Sequence, residues 1–133
     1  MTTPPRPALF WVLLVLLTAE AVFIGLLAVT LIFEVLTAPA DSPASGIALA
    51  VLAVLATGWM VAMVVGALRG QAWIRGSAIV WQILQLAVGI GALQGAVAQP
   101  AWGVPLIVVS GVTLLLLFVP SVVAATSRRD PRR

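Results

Sequence analysis

Four long runs of apolar residues fill most of the chain. They cover residues 9–36, 46–68, 77–98 and 105–126. As helices, the second and third runs reach roughly 33–35 Å, enough to cross a hydrocarbon core of about 30 Å. The first reaches roughly 42 Å, so it must tilt or extend beyond the bilayer. The pattern predicts an all-α fold, a four-helix transmembrane bundle, with residues 1–133 forming one integral membrane domain.

Short connections separate these runs. They are TAPADSPAS at residues 37–45, RGQAWIRG at 69–76 and QPAWG at 99–103. Connections this short make successive helices antiparallel neighbours. Within the fourth run, Pro120 is expected to kink the helix and free a backbone carbonyl.

The basic residues predict the orientation in the membrane. All seven are arginines, and four predicted spans would place them on one side: Arg6, Arg69, Arg75, Arg128, Arg129, Arg132 and Arg133. The two remaining connections contain no Arg or Lys. Positively charged loops stay in the cytoplasm, so both termini are expected there (N-in/C-in). The tail, residues 127–133, would then be attracted to anionic lipid by about 1 kcal/mol per Arg.

Composition narrows the possible chemistry. The 133 residues are 62% hydrophobic and 8% charged, with mean hydropathy +1.20, so the solvent for most of the chain is expected to be lipid. The sequence contains no Cys, His, Lys or Tyr. Thiolate or imidazole metal sites, His-activated nucleophiles and Schiff bases are therefore excluded. We expect no enzyme and no cofactor, because the sequence offers no nucleophile–base pair and no cluster of metal ligands. We expect no nucleic-acid partner, because the arginines flank apolar segments.

The first apolar run has an alternative interpretation as a signal peptide. Ala38, Pro39 and Ala40 have the small-x-small form of a cleavage site. However, the run is roughly twice the length of an ordinary signal-peptide core, so an uncleaved helix is favoured.

Glu20 is the one acid deep in an apolar run. It is expected roughly 16 Å into the membrane, near the midplane, where a charged carboxylate costs several kcal/mol. It should be protonated or paired with a donor. Two interpretations stay open: a titrating proton or cation site, and a permanently neutral hydrogen-bond donor between helices. Trp59 and Gln85 are predicted within about one turn of that depth.

Polar and small residues line one face of the third run with heptad spacing: Gln82, Gln85, Gly89, Ala92, Ala96 and Gln99. This stripe predicts an inward, helix-packing face. Small residues also recur every fourth position elsewhere, at Gly58, Ala62 and Gly66 in the second run and at Gly91 and Gly95 in the third. They predict close helix crossings, within the chain or in a homo-oligomer.

Two resemblances follow from particular segments. LTAEAVFIGLLAV (17–29) resembles the first helix of the small multidrug resistance transporters, which implies proton-coupled drug exchange with Glu20 as the acidic residue. The chain departs from that family in having no tyrosine. RGQAWIRGSAIVWQILQLAVGIGALQ (69–94) with LLLLFVPSVVAATSRR (114–129) is similar to small four-span membrane proteins of actinobacteria, which implies a class and a location but no activity.

Taken together, the sequence predicts a multi-pass protein of the bacterial plasma membrane that serves as a non-enzymatic scaffold or accessory subunit. Its expected partners are the lipid bilayer, anionic lipid at the cytoplasmic face, and another membrane protein or a second copy. The alternative is a small proton-coupled transporter centred on Glu20, with Trp59, Gln82 and Gln85 as pocket walls.

Overall fold

The protein is all-α. The computed structural model describes residues 5–37, 43–95 and 98–126, which hold five helices. These are α1 (Ala8–Thr37), α2 (Pro43–Leu68), α3 (Trp73–Gln94), α4 (Pro100–Phe118) and α5 (Pro120–Thr126). By length and composition, α1 to α4 can each cross a membrane. The possible cleavage site at 38–40, Ala96 and the tail, 127–133, lie outside the described residues.

The turn after α2 is shorter than predicted. Gly70 has a φ of 70°, its N–H donates to the Ala67 carbonyl (3.1 Å), and the Gln71 N–H donates to the Gly66 carbonyl (2.9 Å). This is a Schellman motif, which satisfies two carbonyls that the end of a helix would otherwise leave without donors. Because the motif is complete at Gln71, α3 begins at Trp73, four residues before the predicted start.

The connection between α3 and α4 also differs from the prediction. The third helix ends at Gln94 instead of residue 98, and the fourth begins at Pro100 instead of residue 105. Proline suits the first turn of a helix, where its missing N–H needs no partner, so α4 starts there. Pro105, the predicted start, lies inside α4. The Gln99 N–H donates back to the Ala92 carbonyl (2.8 Å) and closes the turn.

Pro120 breaks the helix instead of kinking it. Val119, which precedes it, has φ −64° and ψ 131°, an extended conformation. A residue before proline is pushed out of the α region by contact with the proline ring. The fourth predicted span is therefore two helices, α4 and the short α5.

Contacts divide the chain into two compact units, Leu17–Val65 and the combination of Met1–Leu16 with Gly66–Arg133. In the first, a Cβ on Gly25 would lie 3.5 Å from Thr57, and a Cβ on Gly46 would lie 3.4 Å from Val35. The later residue of α1 thus contacts the earlier residue of α2, so the two helices run antiparallel. In the second, α3 packs along α4. We call them the α1–α2 unit and the α3–α4 unit.

Large apolar side chains cover the outside of the helices. Between 17 and 33% of an 18-residue apolar stretch in each candidate span is buried. Many exposed positions are Leu, Val, Ile or Phe, such as Val15, Leu26, Leu55 and Leu115. An exposed apolar surface of this extent is suited to lipid, not to water. Trp11, Trp73 and Trp102 are exposed near helix ends, where interfacial tryptophans occur.

Candidate functional site

Glu20 lies on the buried face of α1, twelve residues after the helix begins. Its side chain is 7% exposed. The buried positions of α1 follow helical spacing and include Glu20 among apolar residues: Phe10, Leu13, Leu14, Leu17, Ala21 and Ala28. The acid therefore faces protein and not lipid, which both interpretations of it require.

The contacts of Gly25 with Thr57 and of Gly46 with Val35 set the register of α1 against α2. In this register, Glu20 lies level with residues 61–62 of α2. Met60 and Met63 are fully buried there, and Trp59 is half-buried within one turn of that level. The α1–α2 unit thus places Trp59 near the depth of Glu20, in a largely apolar setting.

The two predicted glutamines lie in the α3–α4 unit. Gln82 is fully buried, and Gln85 is half-buried. The Trp81 indole N–H donates to Gln85 Oε1 (3.1 Å), four residues along the same helix. Gln85 Oε1 therefore accepts one hydrogen bond within α3. Glu20 and Trp59 are described in one unit, and Gln82 and Gln85 in the other.

The predicted inward stripe of α3 matches the buried face of that helix. Gln82 and Gly89 are buried and Gln85 and Ala92 are half-buried, whereas most neighbouring positions are exposed. Gln99 lies beyond the helix end and is exposed. The heptad pattern identified the packing face because burial in a helix repeats with that period.

Gly89 and Gly103 form the closest approach between α3 and α4. A Cβ on Gly103 would lie 2.8 Å from the Gly89 carbonyl oxygen, and one on Gly89 would lie 2.9 Å from Ile107. Backbones this close require glycine on both helices. Gly103 was not identified from the sequence because it falls in the segment predicted as a loop.

The other small-residue positions divide into two groups. Gly66 is packed, since a Cβ there would meet Ile74 and Trp73. In contrast, Gly58 and Gly91 have nothing within 4 Å of that position among the described residues. Ala62 and Gly95 are also exposed. The close crossings predicted at these four positions are thus not formed between the described helices.

Arg75 stabilises the helix break. Its guanidinium donates from Nε (3.3 Å) and a terminal nitrogen (3.1 Å) to the carbonyl of Leu117, three residues before Pro120. The guanidinium carbon also lies 5.4 Å from the centre of the Phe118 ring. A carbonyl near a helix C-terminus carries partial negative charge and lacks a helical donor. Arg75 thus supplies a donor for a carbonyl that the break at Pro120 leaves without one from its own helix.

Arg6 makes the same kind of contact at the end of α2. It donates to the carbonyl of Leu68 (2.8 Å), the last residue of that helix. Its guanidinium also lies over the rings of Phe10 (5.0 Å) and Trp11 (5.9 Å). Two arginines predicted only as topology anchors therefore also cap helix ends. Arg69 is exposed in the turn after α2.

Two buried hydroxyls were not selected from the sequence. Ser110 and Thr113 on α4 are both 0% exposed, and they lie on the face that carries Gly103 and Leu117. The available signal is the helical spacing of the four positions 103, 110, 113 and 117, which are separated by seven, three and four residues. It is weak, because Ser and Thr are compatible with either side of a membrane helix.

Comparison of the chain with protein-family models, with curated proteins and with solved structures yields no significant match.

Proposed function

We propose that this chain is a four-span integral membrane protein of the bacterial plasma membrane, with both termini in the cytoplasm, that acts as a non-enzymatic scaffold or accessory subunit. The outward apolar surface of its four long helices supports the membrane location. The placement of every arginine outside the apolar runs supports the orientation. In this orientation the arginine-rich tail meets anionic lipid.

The observation that carries the accessory role is the outward face of α2. Gly58 and Ala62 lie at its centre, one turn apart, and both are exposed. Exposed aliphatic residues flank them: Val51, Val54, Leu55, Val61 and Val65. A glycine and an alanine in such a surface form a shallow notch into which a second helix backbone can pack closely. The proposed partner is an apolar transmembrane helix of another membrane protein.

A matched pair of glycine substitutions tests this proposal. Gly58→Leu fills the notch, whereas Gly91→Leu adds the same side chain to an exposed position of α3. Each position has open space within 4 Å among the described residues, so both variants should fold. The tagged protein is extracted in polymer nanodiscs, and the proteins recovered with it are quantified by mass spectrometry.

We expect the wild type and Gly91→Leu to recover one membrane protein in a constant ratio, and Gly58→Leu to lose it. Equal recovery of the partner with all three proteins would show that the α2 notch does not bind it. Recovery of a second copy alone would indicate a homo-oligomer instead of an accessory subunit.

The second candidate function is proton-coupled transport, favoured by the burial of Glu20 on the inward face of α1. Glu20→Gln keeps the size and hydrogen-bonding capacity of the side chain but cannot ionise. If Glu20 carries protons, this variant in proteoliposomes should lose the uptake of cationic dye driven by a pH gradient. If the accessory role is right, neither protein should move the dye, and Glu20→Gln should recover the partner as the wild type does.

A further inference from the structure

The interface between α3 and α4 buries two hydroxyl groups in an unusual state. Ser110 Oγ and Thr113 Oγ1 have no hydrogen-bond partner among residues 5–37, 43–95 and 98–126. Other helical threonines donate to the carbonyl four residues back, at 2.7–2.9 Å: Thr30, Thr37, Thr57 and Thr126. This local bond is the usual way in which a membrane helix satisfies a hydroxyl. Ser110 and Thr113 do not use it.

The register of the two helices places a third polar side chain at this depth. Arg75 reaches Leu117, and Gly89 lies against Gly103. Gln82 is midway between Arg75 and Gly89 along α3, and Ser110 is midway between Leu117 and Gly103 along α4. Gln82 therefore lies level with Ser110.

Three fully buried polar side chains thus share one level of the interface: Gln82, Ser110 and Thr113. Ala78, one turn from Gln82 on α3, is also fully buried and is small. The level lies near the middle of both helices, where bulk water does not reach.

We propose that this level of the α3–α4 interface is a binding site for one ordered water molecule, held by Ser110 Oγ, Thr113 Oγ1 and the Gln82 carboxamide. A buried water typically makes about three hydrogen bonds to protein groups, and the site offers three. Buried hydroxyls are otherwise costly to leave without partners.

A neutral ligand fits this site better than a cation. Neither α3 nor α4 contains Asp or Glu, so no carboxylate of these helices can balance a positive charge there. Transfer of an uncompensated ion into this interior is strongly unfavourable. The inference does not depend on the proposed function, because it concerns only the α3–α4 unit and not the outward face of α2.

Water-edited solid-state NMR of the wild-type protein in lipid bilayers tests the site directly. In this experiment, magnetisation passes from water to nearby carbon atoms, and its build-up time reports their proximity to water. We expect the magnetisation on Thr113 to build up as fast as that on exposed Thr37, and clearly faster than that on buried Leu117. If Thr113 builds up as slowly as Leu117, there is no water at the site and the proposal is wrong.

A substitution tests the site independently, because its effect on stability has opposite signs when the Thr113 hydroxyl binds water and when it has no partner. Thr113→Val replaces the hydroxyl with a methyl group of similar size. If the hydroxyl binds water, the ratio of unfolded to folded protein should rise about fivefold. If the hydroxyl is buried without a partner, the valine should leave this ratio unchanged or lower it, which would overturn the proposal.

The matched control is Thr30→Val, because Thr30 is exposed and its hydroxyl is bonded within its own helix. It should change the ratio less than about twofold. Should Thr113→Val fail to fold, Thr113→Ser retains the hydroxyl. Its signal should still build up as fast as that of Thr37, and slow build-up in that variant would also contradict the proposal.

Discussion

At the scale of single residues, the arginines have more than one role. Positive charge on the cytoplasmic side requires only a cation, so Lys would serve as well as Arg. The contacts of Arg75 and Arg6 require more, because each guanidinium lies near an aromatic ring while it donates to a helix-end carbonyl. A planar, multiply donating group suits this arrangement, and a lysine ammonium does not reproduce it.

Arg75→Lys should therefore destabilise the protein by roughly 1 kcal/mol, since the charge is kept but one of the two donated hydrogen bonds and the guanidinium contact with the Phe118 ring are lost. The free energy of unfolding can be measured by detergent titration. Arg69→Lys is the control, because Arg69 is exposed, and it should change stability by less than about 0.5 kcal/mol. Equal effects of the two substitutions would mean that only charge matters.

At the scale of helices, the sequence predicted that the long helices exist better than it predicted the residues at which they begin and end. The first three apolar runs correspond to α1, α2 and α3, and the fourth to α4 together with α5, because twenty or more apolar residues have few alternatives to a helix. The observed ends of α4 differ from the predicted ones because proline is compatible with several positions in a helix. Pro100 starts a helix, Pro105 lies within one, and Pro120 breaks one. Which of these occurs depends on whether nearby carbonyls find other donors, and for Leu117 that donor comes from another helix.

The closest helix contact makes a prediction of its own. Gly103→Ala would place a methyl group 2.8 Å from the Gly89 carbonyl oxygen, so α3 and α4 must separate. We expect a loss of about 1–3 kcal/mol in the free energy of unfolding. Gly91→Ala should be neutral or slightly stabilising, because its methyl meets nothing within 4 Å among the described residues and alanine favours a helix. The reverse order would contradict the observed packing.

The break at Pro120 and the contact of Arg75 should be energetically coupled. Pro120→Ala restores an N–H and lets α4 continue into α5, so that the Leu117 carbonyl regains a helical donor. Arg75→Lys should then cost clearly less in the Pro120→Ala background than in the wild type. A double-mutant cycle measures this difference, and strictly additive effects would show that Arg75 does not serve the break.

At the scale of the whole molecule, the sequence predicted the all-α fold class and the buried face of α3. It did not predict which small residues pack against another helix. The stripe of Gln82, Gln85 and Gly89 could be predicted from the sequence because burial repeats with the helical period. The same rule cannot tell a glycine that packs, such as Gly66, from one that faces outward, such as Gly58. That difference depends on which helices are neighbours, and spacing within one helix does not contain it.

The proposed orientation of the four spans underlies both the proposed location and the proposed role of the arginines as topology anchors. The accessibility of introduced cysteines tests this orientation most directly. Because the sequence has no cysteine, single substitutions of exposed residues give unique labels: Thr37→Cys, Gln99→Cys and Gln71→Cys. A membrane-impermeant maleimide added to intact cells, after removal of any outer barrier, should label positions 37 and 99. Position 71 should react only after the membrane is opened. Labelling of position 71 in intact cells, with 37 and 99 protected, would contradict the account.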